Sequence, residues 1–196
     1  MSKSCLLCGV GGQGTVLASK LIAYAALDKG MFVRTTETIG MAQRGGSVVS
    51  HVRMGEEIHS PLIPKGQADV MIAFEPAEAV RNLGFLKQDG VAVVNTKAVK
   101  PVTATLGNTE YNGQEMIDYL KSHVKKLILV DGEAVCKEVG SAKVLNITLL
   151  GAALGSNVLD ISLTDMEAEI EKHVKKHFIE MNKKALELGA RQMLER

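Results

Sequence analysis

Cys5-Leu6-Leu7-Cys8-Gly9-Val10-Gly11-Gly12-Gln13-Gly14 decides the fold. A short apolar run that ends in glycines reads as a buried central strand. The glycines at 9, 11 and 14 have the spacing Gly-x-Gly-x-x-Gly. In such a turn the first glycine permits the tight reversal, the second a close backbone approach, and the third helix–strand packing. Amides at the start of the following helix then suit an anion. Glu37 lies 23 residues beyond Gly14, near the distance at which dinucleotide folds place a ribose-binding acid. Two features pull against a dinucleotide. The chain after Glu37 enters a glycine-bearing loop and another strand, not a crossover helix. The pair Gly12-Gln13 also stands where dinucleotide loops usually carry small apolar residues. The alternative is that these glycines serve packing alone.

Outward from that turn, residues 13–29 read as a helix, with Val16, Leu17, Leu21 and Ala25 at three-to-four spacing and Gly30 at the end. Residues 31–38 are β-rich, 39–46 form the glycine-bearing loop, and 47–54 alternate like a strand. Buried-type strands are expected at 68–74, 90–95 and 126–131. Pro76 starts a helix, a favoured first-turn position, and 114–123 form a short one. Residues 144–154 are almost wholly apolar and predict a buried helix interrupted by Gly151 and Gly155. Thr164 with Glu167 has the capping-box form. Met166, Ile170, Val174, Phe178, Met181, Ala185 and Leu188 then make one stripe over six turns, with Glu169, Lys172, Lys175, Lys176, Lys183 and Glu187 on a solvated face. The fold class is therefore α/β. A mostly parallel Rossmann-like sheet is covered by helices on both faces, with a helical C-terminal segment. No repeat or linker divides the chain, so 1–196 is expected to be a single domain.

Composition excludes several functions. The 196 residues carry a formal charge of +1 and are 46% hydrophobic, which gives no overall electrostatic reason to bind nucleic acid or an acidic membrane. Four Phe, three Tyr and no Trp also disfavour a base-stacking surface. The apolar runs are too short to span a membrane. The start of the chain lacks the apolar core of a secretory signal, and three cysteines do not make a disulfide framework. The expected location is cytoplasmic.

Few side chains invite chemistry. Cys5 and Cys8 have a redox or metal spacing, but residues three apart on a strand point to opposite faces, so buried free thiols are the better account. His173 and His177 are four apart on the expected helix, yet no third ligand lies near in sequence, whereas zinc needs three or four. His51 and Arg53 share a strand face and could line a pocket for a carboxylate or phosphate. In Arg44-Gly45-Gly46-Ser47 the glycines open backbone conformations closed to other residues, and Arg44 offers a planar five-donor fork. This loop serves either an anion or partner contact, or only a bend. Ser47 has no base beside it in sequence.

The turn at 9–14 together with Met41-Ala42-Gln43-Arg44-Gly45-Gly46-Ser47 resembles the gamma-type subunit of 2-oxoacid:ferredoxin oxidoreductases. Ser60-Pro61-Leu62-Ile63-Pro64, Ala68-Asp69-Val70, Phe74-Glu75-Pro76 and the helical tail around Asn146 and Asn182 continue the likeness over nearly the whole chain. The form at 41–47 is most similar to the small, beta subunits of the indolepyruvate type. The resemblance implies an accessory subunit in the oxidative decarboxylation of an aryl 2-oxoacid to an acyl-CoA, with electrons passed to ferredoxin. It also implies thiamine diphosphate and 4Fe-4S clusters on a large partner subunit, none bound by this chain alone, and coenzyme A as co-substrate. Asp131-Gly132-Glu133 lacks the rest of a thiamine-diphosphate motif, and clusters need more Cys ligands than three. The candidate binding residues are thus Gly9, Gly11, Gly12, Gln13 and Gly14 in one loop and Arg44, Gly45, Gly46 and Ser47 in the other. The isolated chain is expected to be inactive.

Overall fold

A computed structural model describes residues 2–40, 45–100 and 111–192. Arg44, with Met41, Ala42 and Gln43, lies outside the described residues. Six strands form one sheet: β1 (Lys3–Val10), β2 (Phe32–Ile39), β3 (Ser47–Gly55), β4 (Ala68–Ala73), β5 (Leu86–Asn95) and β6 (Lys126–Val130). Their order is β2-β3-β1-β4-β5-β6. The pairings β1–β4, β4–β5 and β5–β6 are parallel, while β3 runs antiparallel to both β1 and β2. The β2–β3 hairpin replaces the second crossover of a doubly wound fold, as the missing helix after Glu37 suggested.

Helices cover both faces. One face carries α1 (Thr15–Asp28), α4 (Gly132–Val139), α5 (Leu145–Gly155), α6 (Leu163–His173) and α7 (Ile179–Ala190). The other carries α2 (Pro76–Asn82) and α3 (Gln114–His123), with Ala79 and Leu120 in its core. Alternation along β1 divides its side chains between these two cores: Cys5 and Leu7 in the first, Leu6 and Cys8 in the second. Both thiols are fully buried, and burial raises both pKa values.

Three expectations for the tail are corrected. Gly151 does not interrupt α5, which runs through it to Gly155. A Cβ at Gly151 would overlap the carbonyl oxygen of Leu186, and one at Gly189 that of Thr148. The glycines therefore let α5 and α7 touch backbone to backbone. The capping box lies two residues earlier than the Thr164 reading: Ser162 Oγ accepts from Asp165 N at 3.1 Å, and Asp165 accepts from Ser162 N at 2.8 Å. That backbone bond, with Lys29 beside it, lowers the Asp165 pKa. The six-turn helix is in fact two helices, because Val174 is extended and caps α6. No Gly or Pro marks this break; α7 has to turn back to meet α5.

Glu169 is likewise not solvated. It is buried, and it accepts from Lys172 at 2.7 Å and lies 3.3 Å from His173 Nε2. His173 stacks on Tyr24 with ring centroids 4.2 Å apart, and His177 falls in the 3-10 turn Lys176–Phe178. The two histidines do not share one helix face. Among the described residues no three metal-ligating groups gather.

Candidate functional site

The parallel strands end together at Val10, Ala73, Asn95 and Val130. From β1 the chain leaves over one face through α1, and from β4 over the other through α2. The crevice between these two strand ends is the topological switch point, where open α/β sheets place their ligands. The glycine turn occupies it.

The turn is braced from inside. Gln13 Oε1 accepts from Val10 N at 2.8 Å, and its Nε2 donates to the Phe74 carbonyl at 3.0 Å. Asn95 Nδ2 donates to the same carbonyl at 3.1 Å, and Asn95 Oδ1 accepts from Gly132 N at 3.3 Å. One chain of amide bonds thus ties the ends of β1, β4, β5 and β6. Gly9 lies under it, because a Cβ there would stand 2.7 Å from both Gln13 Oε1 and Phe74 Cβ. Gly14, at φ 84°, packs on Asn146. Gly12 differs. It has φ 100° and nothing within 4 Å of where a Cβ would be.

Gly14 caps α1 without a side-chain hydrogen bond, and the buried Thr15 hydroxyl has no partner. A 14-residue helix thus begins at the crevice with donors in reserve.

The hairpin delivers the second loop to the same place. Gly11 N donates to Gly46 O at 2.8 Å, and Val10 pairs with Ser47. Gly45, at φ 75°, supplies the left-handed turn before it. The structure therefore brings 9–14 and 45–47 together, two segments that no spacing rule connects. Ser47 does have an acidic partner: its hydroxyl donates to Glu78 at 2.6 Å, and Arg81 holds the other carboxylate oxygen at 2.5 Å. Glu78 is thereby fixed between two partners, an arrangement that anchors the loop and supplies no nucleophile.

Buried acids were the residues least visible in the sequence. Glu75, 2% exposed, caps α2 by accepting from Ala77 N at 2.7 Å and Glu78 N at 3.1 Å. Its other oxygen accepts from Val99 N and from the Tyr111 hydroxyl. Burial, reinforced by Glu75, raises the Tyr111 pKa. Phe74-Glu75-Pro76 carried the signal in outline, since an acid before Pro reads as a helix cap.

Beyond Asn95 a pocket of about 440 Å³ opens, floored by Leu145 and bordered by Lys97, Glu133, Cys136 and Lys137. Its size lies within the range of small-molecule sites. Lys97 pairs with Glu133 at 2.8 Å. Asp131 caps α4 through Ala134 N at 2.9 Å, and a Cβ at Gly132 would overlap Leu145. Both positions serve the start of α4.

Two readings from the sequence can be set against these positions. β3 lies between β2 and β1, so Glu37 sits two strands from the glycine turn, and its carboxylate accepts from Ser19 Oγ at 3.3 Å. The ribose-binding position of a dinucleotide fold is not formed. Cys5 and Cys8 face opposite cores and Cys136 borders the pocket, so the thiols cannot gather around a cluster.

The chain as a whole matches the pyruvate oxidoreductase subunit PORC of Thermotoga maritima at a TM-score of 0.72. The identity is 21%, over 99% of this chain and 97% of that one. It also matches a 2-oxoglutarate:ferredoxin oxidoreductase of Magnetococcus marinus, solved with 2-oxoglutarate, coenzyme A and succinyl-CoA bound. There the TM-score is 0.71 and the identity 21%, with 96% of this chain covering 30% of a longer one. The chain therefore shares its fold with these two proteins. In sequence, the chain is 38% identical over 195 residues to the indolepyruvate oxidoreductase subunit IorB of Archaeoglobus fulgidus, covering 99% of this chain and 96% of the relative. Residues 4–192 match the pyruvate ferredoxin/flavodoxin oxidoreductase family, and the chain belongs to it.

Proposed function

We infer that this chain is the small accessory subunit of an indolepyruvate-type 2-oxoacid:ferredoxin oxidoreductase. The observation that carries the reading is the near end-to-end identity with the Archaeoglobus fulgidus subunit. The geometry agrees with an accessory part. The crevice offers backbone donors and an uncapped helix start, yet its acids are locked in caps and ion pairs. With three cysteines so dispersed, thiamine diphosphate and the 4Fe-4S clusters belong to the large partner subunit, and ferredoxin is reached through the complex. The whole chain, 1–196, acts as one gamma-type domain in the cytoplasm.

On this reading Gly9, Gly11, Gly12, Gln13 and Gly14 form one wall of the shared site, and Arg44, Gly45, Gly46 and Ser47 the other. Gln13 shapes its wall from within. Gly12 leaves open the approach to the α1 amides, donors suited to an anionic group such as those of coenzyme A. The test is reconstitution with the large subunit. The complex should reduce ferredoxin with indolepyruvate and coenzyme A, and this chain alone should not. Arg44→Ala should weaken apparent coenzyme A or oxoacid affinity by roughly ten- to a hundredfold, the worth of a charge-assisted bond, with an unchanged melting curve. Lower melting with unaltered kinetics would make the loop structural.

A further inference from the structure

At the opposite end of the strands, below the second core, three neighbouring strands each set one polar residue on the same face, and a fourth sends a lysine to join them. They are Arg53 on β3, Ser4 on β1, Asp69 on β4 and Lys87 on β5. The sequence paired Arg53 with His51, and the structure separates their roles. His51 is buried, accepts from Ile63 N at 3.2 Å on Nδ1 and meets Phe85 edge to face. Arg53 instead borders a pocket of about 320 Å³, together with Ser4, Lys65, Gln67, Asp69 and Lys87.

The charges in this pocket do not balance. Asp69 is its one acid, and it is already committed: it accepts from Lys87 at 2.5 Å and from Ser4 N at 2.8 Å. Among the described residues, Arg53 and Lys65 have no acidic partner. One arm of the guanidinium, Nη1, donates to the carbonyls of Ser60 and Leu62 at 3.0 and 3.3 Å. Its Nε is buried and has no acceptor among the described residues. A buried donor left unmatched costs on the order of 1–3 kcal/mol, and in native proteins such a group commonly marks a missing water or ion.

We propose that this pocket binds a small phosphate-bearing molecule, whose oxyanion is held between Arg53 and Lys65. A tetrahedral dianion in the pocket offsets the two unpaired cations and accepts from Lys65 and from the exposed part of the Arg53 guanidinium. The Gln67 amide is available to the same group or to what it carries. The volume exceeds what a bare oxyanion fills, which leaves room for a short organic substituent. The site lies where the β4 strand begins, so it does not depend on the function inferred for the opposite end of the strands.

Calorimetric titration of the full chain with inorganic phosphate and, separately, with glycerol 3-phosphate tests this at fixed ionic strength, with chloride as the screening control. Both phosphates should bind and chloride should not; tighter binding of the ester would identify the organic phosphate as the ligand, and equal binding the free ion. Lys65→Gln, at an exposed residue without other partners among the described residues, should weaken binding roughly tenfold, the low end for a charge-assisted bond. Arg53→Gln should weaken it further, though it also frees the Ser60 and Leu62 carbonyls. Heat indistinguishable from chloride, or a Lys65→Gln chain that binds as tightly as the parent, would overturn the proposal.

Discussion

Glycine does opposite work at the two ends of this chain. At the α5–α7 crossing the space a side chain would take is filled by protein: the carbonyls of Leu186 and Thr148 occupy it. At Gly12 the same space is empty to 4 Å. The first is a packing device and the second an opening. Within the turn both kinds occur, since Gly9 and Gly14 lie against Phe74, Gln13 and Asn146. A glycine-rich motif therefore does not announce a ligand. What fills the missing Cβ position decides it.

The strongest way to break that contrast is Gly151→Ala. A methyl driven into a backbone carbonyl has no flexible neighbour to displace, so about 3 kcal/mol should be lost, at the upper end for overpacking. A chain of this length should then melt roughly 6–12 °C lower; an unchanged melting temperature would mean the helices can separate at no cost. Gln13→Ala comes next. It strips a partner from Val10 N and one of two from the Phe74 carbonyl, which should cost about 2 kcal/mol by denaturant unfolding. Gly12→Ala sharpens the comparison from the other side. Its cost is only the left-handed backbone, about 1 kcal/mol, and turnover of the reconstituted complex should fall by more than stability does.

The smallest effect expected concerns His51 and pH. Burial lowers its pKa below the ordinary value of 6.5, so the folded chain prefers the neutral ring that accepts from Ile63. The stability this preference gives is present above pH 6.5 and is lost as pH falls toward the folded-state value. Urea midpoints at pH 7.5 and 5.5 should differ more for the parent than for His51→Gln.

The strands were legible because apolar runs and alternation are local signals, and α3 was found at its observed limits, Gln114–His123. The break after His173 was not, because the stripe continues in sequence across Val174 and only contact with α5 ends the helix there. Glu169 was misjudged for a related reason. Its partners include the Lys172 ammonium, which it shares with Asp28, 144 residues before that lysine along the chain. At the site, the turn at 9–14 was readable as a motif. Its junction with Gly46, and the pairing of Ser47 with Glu78, arise from the hairpin register and the α2 position. Arg44 lies outside the described residues, so its part rests on the resemblance.

The placement of the three thiols makes the chain its own stability gauge. Cys136 is half-buried at the pocket rim, where burial and the Glu133 carboxylate raise its pKa and slow its alkylation without barring it. Cys5 and Cys8 sit on opposite sides of a strand that has a neighbour on each edge, and neither is reached unless β1 leaves the sheet. Under native conditions a thiol reagent therefore counts one residue promptly. The slow appearance of the second and third measures how often the whole sheet opens, which is the largest opening free energy in the molecule.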